Sequence, residues 1–536
     1  MTKNLKFHNT QDDTTAFVAD LQSAENLFKL LHAFQKCSGL EINTTKTEGM
    51  WLGANRNKKT KHFDIAWPSE PVFALGIHFT YSDEVSHQKN FEQKLTSMKN
   101  LLNIWYPRNL SLYGRITILK TLALSKLIYN TSMLSFPHSF VKTVNQTIKS
   151  FIWTKTAKIK HTAMIGPKEK GGLNMPDFDI INNSLKVTWI KRLNDSPHNA
   201  SWSHIPLAYL NNVGGRFLFE CNYEMKSLKV NIPLNFYKEA LEAWQKLTVS
   251  TPESKEQILE EIIWNNRFIT IDGSSVYYKQ WHEAGVTKIG DIFKEDSFLT
   301  FNDFASTFQI KTNFLKYYGL CHAIPKKWIN HLKGKGELIT NSLIHGTTKL
   351  SLNKISCKVA SQMFVKMKFE KPTAEKRMTQ ANFDEETIRL TYSIPFQDIR
   401  LTILQFKIIH HILPTNATLF RDSLIQHEKC HLCNEKQTLI HLFVTCSFVQ
   451  TFWTQFALWW NRKHSDSITL SEQNIIYGFT QDLPRRLGLN LCLIIAKYYI
   501  YTASRREEDY IWEAFFAILK SHLEIEKHKS KSQISI

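Results

Sequence analysis

Glycine and proline are scarce in this chain, 19 and 15 of 536 residues, which excludes collagen-like and low-complexity material. The most apolar late stretch, 491–500, is interrupted by Lys497 and too short to span a bilayer, so it reads as a buried amphipathic helix. Residues 1–8 hold no apolar segment of the kind a secretory signal uses. Eight cysteines without such a signal point to a reducing compartment and to no disulfide framework. The Gly-x4-Gly-Lys-Ser/Thr, His-Glu-x2-His and Gly-x-Ser-x-Gly patterns are all missing, which removes the usual phosphate-loop, zinc-protease and serine-hydrolase readings. No spaced carboxylates follow a Pro-Asp downstream of Cys446, so a C-terminal restriction-type nuclease is not supported.

The largest absence is acid. From Gln93 to Lys168 there is no Asp or Glu, while there are twelve Lys or Arg. The chain's average acid content would place about seven acids there. The whole chain carries 67 Lys+Arg against 48 Asp+Glu, a net charge of +19. A solvated basic face is one explanation; a surface that tracks phosphates fits the length of the gap better. Arg108, Arg115, Lys120 and Lys126 are the candidate nucleic-acid-binding residues within it. The interleaved Trp105, Tyr106, Tyr113 and Tyr129 read mainly as core.

The pattern divides the chain into a small α+β beginning and a mainly α remainder. Asp12 and Asp13 followed by the apolar run 16–19 read as a turn between two strands. A helix over 22–34 puts Leu27, Leu30, Leu31 and Phe34 on one face, with Ser23 as its cap. Short extended segments follow at 49–53 and 72–79. From about 88 to 153 three amphipathic helices are expected: one through Phe91, Leu95, Met98 and Trp105, one through Ile116 to Leu127 after a Ser111 cap, and one through Phe140 to Phe151. They predict a compact bundle. The expected divisions are 1–84, 85–165, a helical region over 166–330, a basic linker over 331–395, a helical knuckle region over 396–460 and C-terminal helices over 461–536.

The clearest chemistry lies at Cys430, Cys433, His441 and Cys446, a Cys-x2-Cys-x7-His-x4-Cys spacing. A tight turn brings the first two thiolates onto one ion, and the next two ligands complete the Cys3His set that zinc favours. Four protein ligands leave no open position, so the expected Zn2+ is structural. His427 and His431 lie close enough to compete. An Asp pair on a hairpin tip suits Mg2+ in phosphoryl transfer, although an ordinary turn also explains Asp12 and Asp13.

Taken in order, these motifs resemble the C-terminal part of a non-LTR (LINE-type) retrotransposon reverse transcriptase polyprotein. Residues 12–17 resemble the tail of the polymerase Tyr-Ala-Asp-Asp motif. Residues 38–43, then Lys46, Glu48, Leu52 and Gly53, are similar to the next palm motif, and Leu75, Gly76 and Ile77 resemble the primer-grip turn. Trp105, Arg108, Leu110, Gly114, Arg115 and Lys120 resemble the thumb signature. Phe151, Trp153, Gly171, Gly172, Leu173, Pro414 and Asn416 follow in the family's order.

The resemblance implies a partial palm over 1–84, a helical thumb over 85–165 and a zinc-knuckle C-terminal region. It implies RNA and DNA as partners, no membrane, and a nuclear or ribonucleoprotein location. It assigns catalysis to Asp12 and Asp13, with Mg2+ only if the polymerase site were complete. Thr10 and Gln11 stand where the family has Tyr-Ala. The fingers and the strand bearing the third metal-binding Asp fall outside these residues. The expectation is therefore a truncated, catalytically incomplete RNA-directed DNA polymerase. The alternatives are a non-enzymatic RNA/DNA-binding zinc-knuckle protein or a relic without selected function. Oligomeric state is left open.

Overall fold

The computed structural model describes residues 6–10, 13–69, 71–153, 157–197, 200–335, 352–396, 398–464 and 467–533. Helix accounts for 60% of it and strand for 5%. The strands among the described residues form four two-stranded antiparallel pairs. The chain divides into two compact units, 1–104 with 122–136, and 105–121 with 137–536.

In the smaller unit, strands Lys6–Thr10 and Asp13–Phe17 pair with Lys6 opposite Phe17 and Thr10 opposite Asp13. The following helix, Leu21–Ser38, starts one residue earlier and ends four later than its apolar pattern predicts. Asp20, not Ser23, caps it: the carboxylate accepts the Ser23 backbone N–H at 2.7 Å. Gly39 closes it at φ +74°. Of its apolar stripe, Leu27 is buried, whereas Leu30 and Phe34 are over half exposed.

The stretch 72–79 is a hairpin and not one extended segment. Val72–Ala74 pairs with Ile77–Phe79 across Leu75 and Gly76, both at positive φ. Tyr129 holds this turn by donating its hydroxyl to the Leu75 carbonyl at 2.6 Å. Residues 49–53 form no strand; only an isolated bridge from Glu48 to Ala66 is present there.

The expected compact bundle over 85–165 is divided between the two units. In the smaller unit, buried Asn90 donates to the His78 carbonyl and accepts from the His78 N–H, both at 2.9 Å. In the larger unit, helix His138–Ile152 turns its stripe onto helix Phe178–Asp195, with Phe140 and Phe178 edge to face at 5.9 Å. The helical periodicity of each segment was readable, but its partner was not.

The larger unit holds two apolar clusters. One spans residues 165 to 364 and buries Trp244, Trp264, Trp281 and Tyr317. The other spans 374 to 519 and is built from helices Ile399–Ile409, Ser447–Lys463, Leu483–Arg506 and Trp512–Gln533. By length and composition Leu483–Arg506 could cross a membrane, contrary to the sequence expectation, because it extends well beyond the apolar core 491–500; 67% of its most apolar window is buried in the fold. Among the described residues of 331–395, expected as a linker, three α-helices form: Cys357–Lys368, Thr373–Gln380 and Glu385–Ser393. Ala360, Phe364, Ala374 and Met378 anchor them in the two clusters, so excess charge concealed a folded segment.

Candidate metal centre and basic surface

The knuckle starts as a tight turn. Glu435 accepts the Cys430 N–H at 2.7 Å, the Asn434 N–H returns to the Cys430 carbonyl at 3.0 Å, and Asn434 takes φ +64°. A bridge between Lys429 and Lys436 closes its base. His441 opens a π-helical turn over His441–Thr445, and Cys446 is the N-cap of helix Ser447–Lys463. Cys446 N–H donates to the His441 carbonyl at 3.1 Å, which fixes these two residues relative to each other.

The ligand atoms of Cys430, Cys433, His441 and Cys446 all lie within 4.8 Å of one another. Cys433 Sγ is 3.2 Å from His441 Nε2 and 3.9 Å from Cys446 Sγ. A tetrahedral zinc site with Zn–S near 2.3 Å requires sulfurs about 3.8 Å apart, so the residues present fit the ion. The hydrogen bond from the Cys446 thiol holds Cys430 far below the ordinary thiol range, and the same bond pushes Cys446 up. Thiols crowded this closely give up protons readily to a cation.

The surroundings fix the ligands from outside. His431 is not in the cluster; its Nε2 meets the Glu508 carbonyl at 3.0 Å. Gln437, 1% exposed, donates to Ser504 Oγ at 3.0 Å and accepts the Asn416 N–H at 3.2 Å. Asn416 in turn donates to the Lys429 carbonyl at 2.8 Å. Half-buried Tyr510 is pushed up, first by desolvation and then by the neighbouring thiols. Sequence reasoning missed Gln437 and Tyr510; a buried amide carries no spacing signal.

The basic candidates separate. Arg108, Arg115 and Lys120 belong to the larger unit and Lys126 to the smaller. Arg108 is exposed and lies 4.7 Å over the Trp105 ring. Arg115 lies 5.5 Å over Tyr106 and donates from Nη1 to the Phe151 and Ile152 carbonyls at 2.8 and 3.3 Å. It thereby satisfies the free carbonyls at the end of helix His138–Ile152. Lys120 is exposed in part and held down by burial of its stem and by the charge of Lys168, which itself lies 4.5 Å over Tyr113. Lys126 is half-buried. Asp12 lies outside the described residues, and Asp13 opens the second strand of the first hairpin.

Residues 355–453 match the protein family described as zinc-binding in reverse transcriptase. The chain is 20% identical over 295 residues to the transposon TX1 uncharacterized 149 kDa protein of Xenopus laevis, covering 52% of this chain and 22% of that protein. It is 26% identical over 111 residues to a putative ribonuclease H protein of Arabidopsis thaliana, covering 19% and 18%. The matches thus span about a fifth of each relative's length. The folded knuckle is a reverse-transcriptase-type zinc-binding region. The chain carrying it is related to LINE-type retrotransposon polyproteins.

Proposed function

We propose that this chain is a nucleic-acid-binding part of a reverse transcriptase, with a partial palm, a thumb and a structural zinc knuckle, and that its 536 residues alone do not polymerise DNA. The observation that carries the binding is the acid-free run from Gln93 to Lys168, whose cations Arg108 and Lys120 reach solvent in the larger unit, Arg108 over the Trp105 ring. Such cations gain by releasing counterions from a phosphate backbone. The palm assignment is supported by the first hairpin, with Asp13 at the start of its second strand, and by the turn at Leu75 and Gly76. The resemblance places a third metal-binding carboxylate in sequence outside these residues, which underlies the catalytic reading.

Cys430, Cys433, His441 and Cys446 would hold Zn2+, whose chemistry here is to join two backbone segments through four bonds. The protein's own residues do the rest: Asn416, Gln437 and His431 brace the ligand loop against the end of helix Leu483–Arg506 and the residues just after it. An intracellular ribonucleoprotein location is part of the same proposal.

Binding of a short single-stranded RNA, titrated between about 50 and 200 mM salt, tests the reading. Affinity falls steeply with salt, and Arg108→Glu and Lys120→Glu each weaken binding and reduce the log–log slope by at least about 0.7. A salt-independent affinity would refute the phosphate-tracking surface.

A further inference from the structure

Four cations, Arg56, Lys58, Lys59 and Lys61, crowd into one short loop of the smaller unit. No acid stands between Glu48 and Asp64. All four side chains are exposed, and among the described residues none is ion-paired with a carboxylate.

A charge run in a free loop is ordinarily a solvated face. This loop is held in shape. The Trp51 Nε1–H donates to the Thr60 carbonyl at 3.2 Å, and the Trp67 Nε1–H donates to the His62 carbonyl at 2.7 Å. The two indoles stack with their centroids 5.0 Å apart. At the base of the loop Glu48 bridges to Ala66, and a Cβ on Gly49 would lie 2.8 Å from the Trp67 ring, so a glycine is required there. Phe63 stacks on Phe28 of helix Leu21–Ser38 at 4.6 Å, which ties the loop to the unit. Within the loop the Lys58 N–H donates to the Asn55 carbonyl at 2.9 Å, and Lys58 Nζ lies 5.3 Å over the Trp51 ring.

The cations therefore cannot spread apart. Even a fully extended chain from 56 to 61 would reach only about 17 Å. Like charges held this close repel, and an incoming polyanion relieves them. A nucleic-acid strand carries a charge about every 3.4 Å of helix axis, so several phosphates fall within the loop's reach. Because the indoles already order the backbone, little ordering is left for binding to supply. Both indoles are half-buried and stacked on each other, so they shape the loop and leave recognition to the cations. Cations that meet phosphates fix position and read no bases.

We propose that the loop 56–61 is a second nucleic-acid contact, which grips the sugar-phosphate backbone independently of base sequence. It rests on the nucleic-acid reading above for its ligand and adds a surface outside the acid-free run, in the other unit.

The test titrates the full chain, with zinc present, against a short single-stranded RNA at several salt concentrations. The loop variant combines Arg56→Gln, Lys59→Gln and Lys61→Gln. A control of equal net charge combines Lys226→Gln, Lys229→Gln and Lys238→Gln, three exposed lysines of the larger unit. All six side chains are exposed, so both variants keep the fold. The loop variant binds roughly tenfold more weakly, with a log–log slope lower by about two, from three contacts at about 0.7 each. The control stays within about twofold of wild type with an unchanged slope.

If the loop variant binds like wild type while Arg108→Glu weakens binding, the loop holds no phosphates and the proposal is overturned, with the reading of the chain intact. An equal loss in the control assigns the effect to overall charge and overturns it as well. If the loop variant is weakened and neither Arg108→Glu nor Lys120→Glu is, the loop stands and the acid-free run fails as the carrier of binding. A wild type that binds no RNA overturns both.

Discussion

Lys497 is 2% exposed within helix Leu483–Arg506, where an apolar residue would be the default. It stays because it has carbonyls to satisfy. Its ammonium donates to Gln405 Oε1 at 2.7 Å and to the Ile475 carbonyl at 2.9 Å. Gln405 donates to the Ile476 carbonyl at 3.0 Å, so the pair closes the C-terminal end of helix Glu472–Tyr477. Burial pulls Lys497 from an ordinary 10.5 down to about 7. The folded pKa lies below the unfolded one, so above pH 7 the unfolded chain binds the extra proton. Stability therefore rises with pH across that window, by up to about 1.4 kcal/mol per unit from this group. Chemical denaturation between about pH 7 and 8.5 reads the slope, below the range where buried Cys492, shifted upward, begins to oppose it. Lys497→Met removes the contribution; an unchanged slope in that variant would assign the pH dependence elsewhere.

At the scale of elements, the knuckle was the most legible feature, because all four ligands lie within seventeen residues and a tight turn needs only local sequence. The paired glycines were legible as a motif but not as a cause. Gly171 sits at φ +75° against the Tyr392 ring, and a Cβ on Gly172 would lie 2.1 Å from the Gly166 carbonyl oxygen. Both reasons depend on segments distant in sequence or on backbone approach, which periodicity does not encode. The same holds for the helices at 357–393, whose few apolar anchors were outweighed by surface lysines. The bracing residues also make the knuckle a joint between elements. Removing its metal, or Cys433→Ser, releases His431 from Glu508 and Gln437 from Ser504. Hydrogen exchange then accelerates first at 428–446 and at 503–512, while helix Phe178–Asp195, in the other apolar cluster, keeps its protection. The melting temperature drops as well, since metal binding adds directly to folding. Uniform loss of protection over the whole chain would mean that the ion sustains the entire fold and not one joint.

For the molecule as a whole, the question is which half of polymerase chemistry a polypeptide of these 536 residues can perform. On the proposed reading, its charge of +19 favours the half that holds a nucleic-acid strand. Phosphoryl transfer requires more: two Mg2+ ions about 4 Å apart, clamped so that the attacking and leaving oxygens are both stabilised. The carboxylates assigned to that task here, Asp12 and Asp13, are adjacent in sequence. The family resemblance assigns a further carboxylate, from another strand, to the same two ions. The purified polypeptide, given an RNA template, a complementary DNA primer, deoxynucleotides and Mg2+, therefore binds the duplex but extends no primer. Asp13→Ala leaves both binding and the absence of extension unchanged, and raising Mg2+ into the millimolar range does not restore synthesis. Template-dependent extension that Asp13→Ala abolishes would show that these residues assemble a complete metal site, and the proposal of an incomplete catalytic centre would then be withdrawn while the basic surface and the knuckle kept their roles.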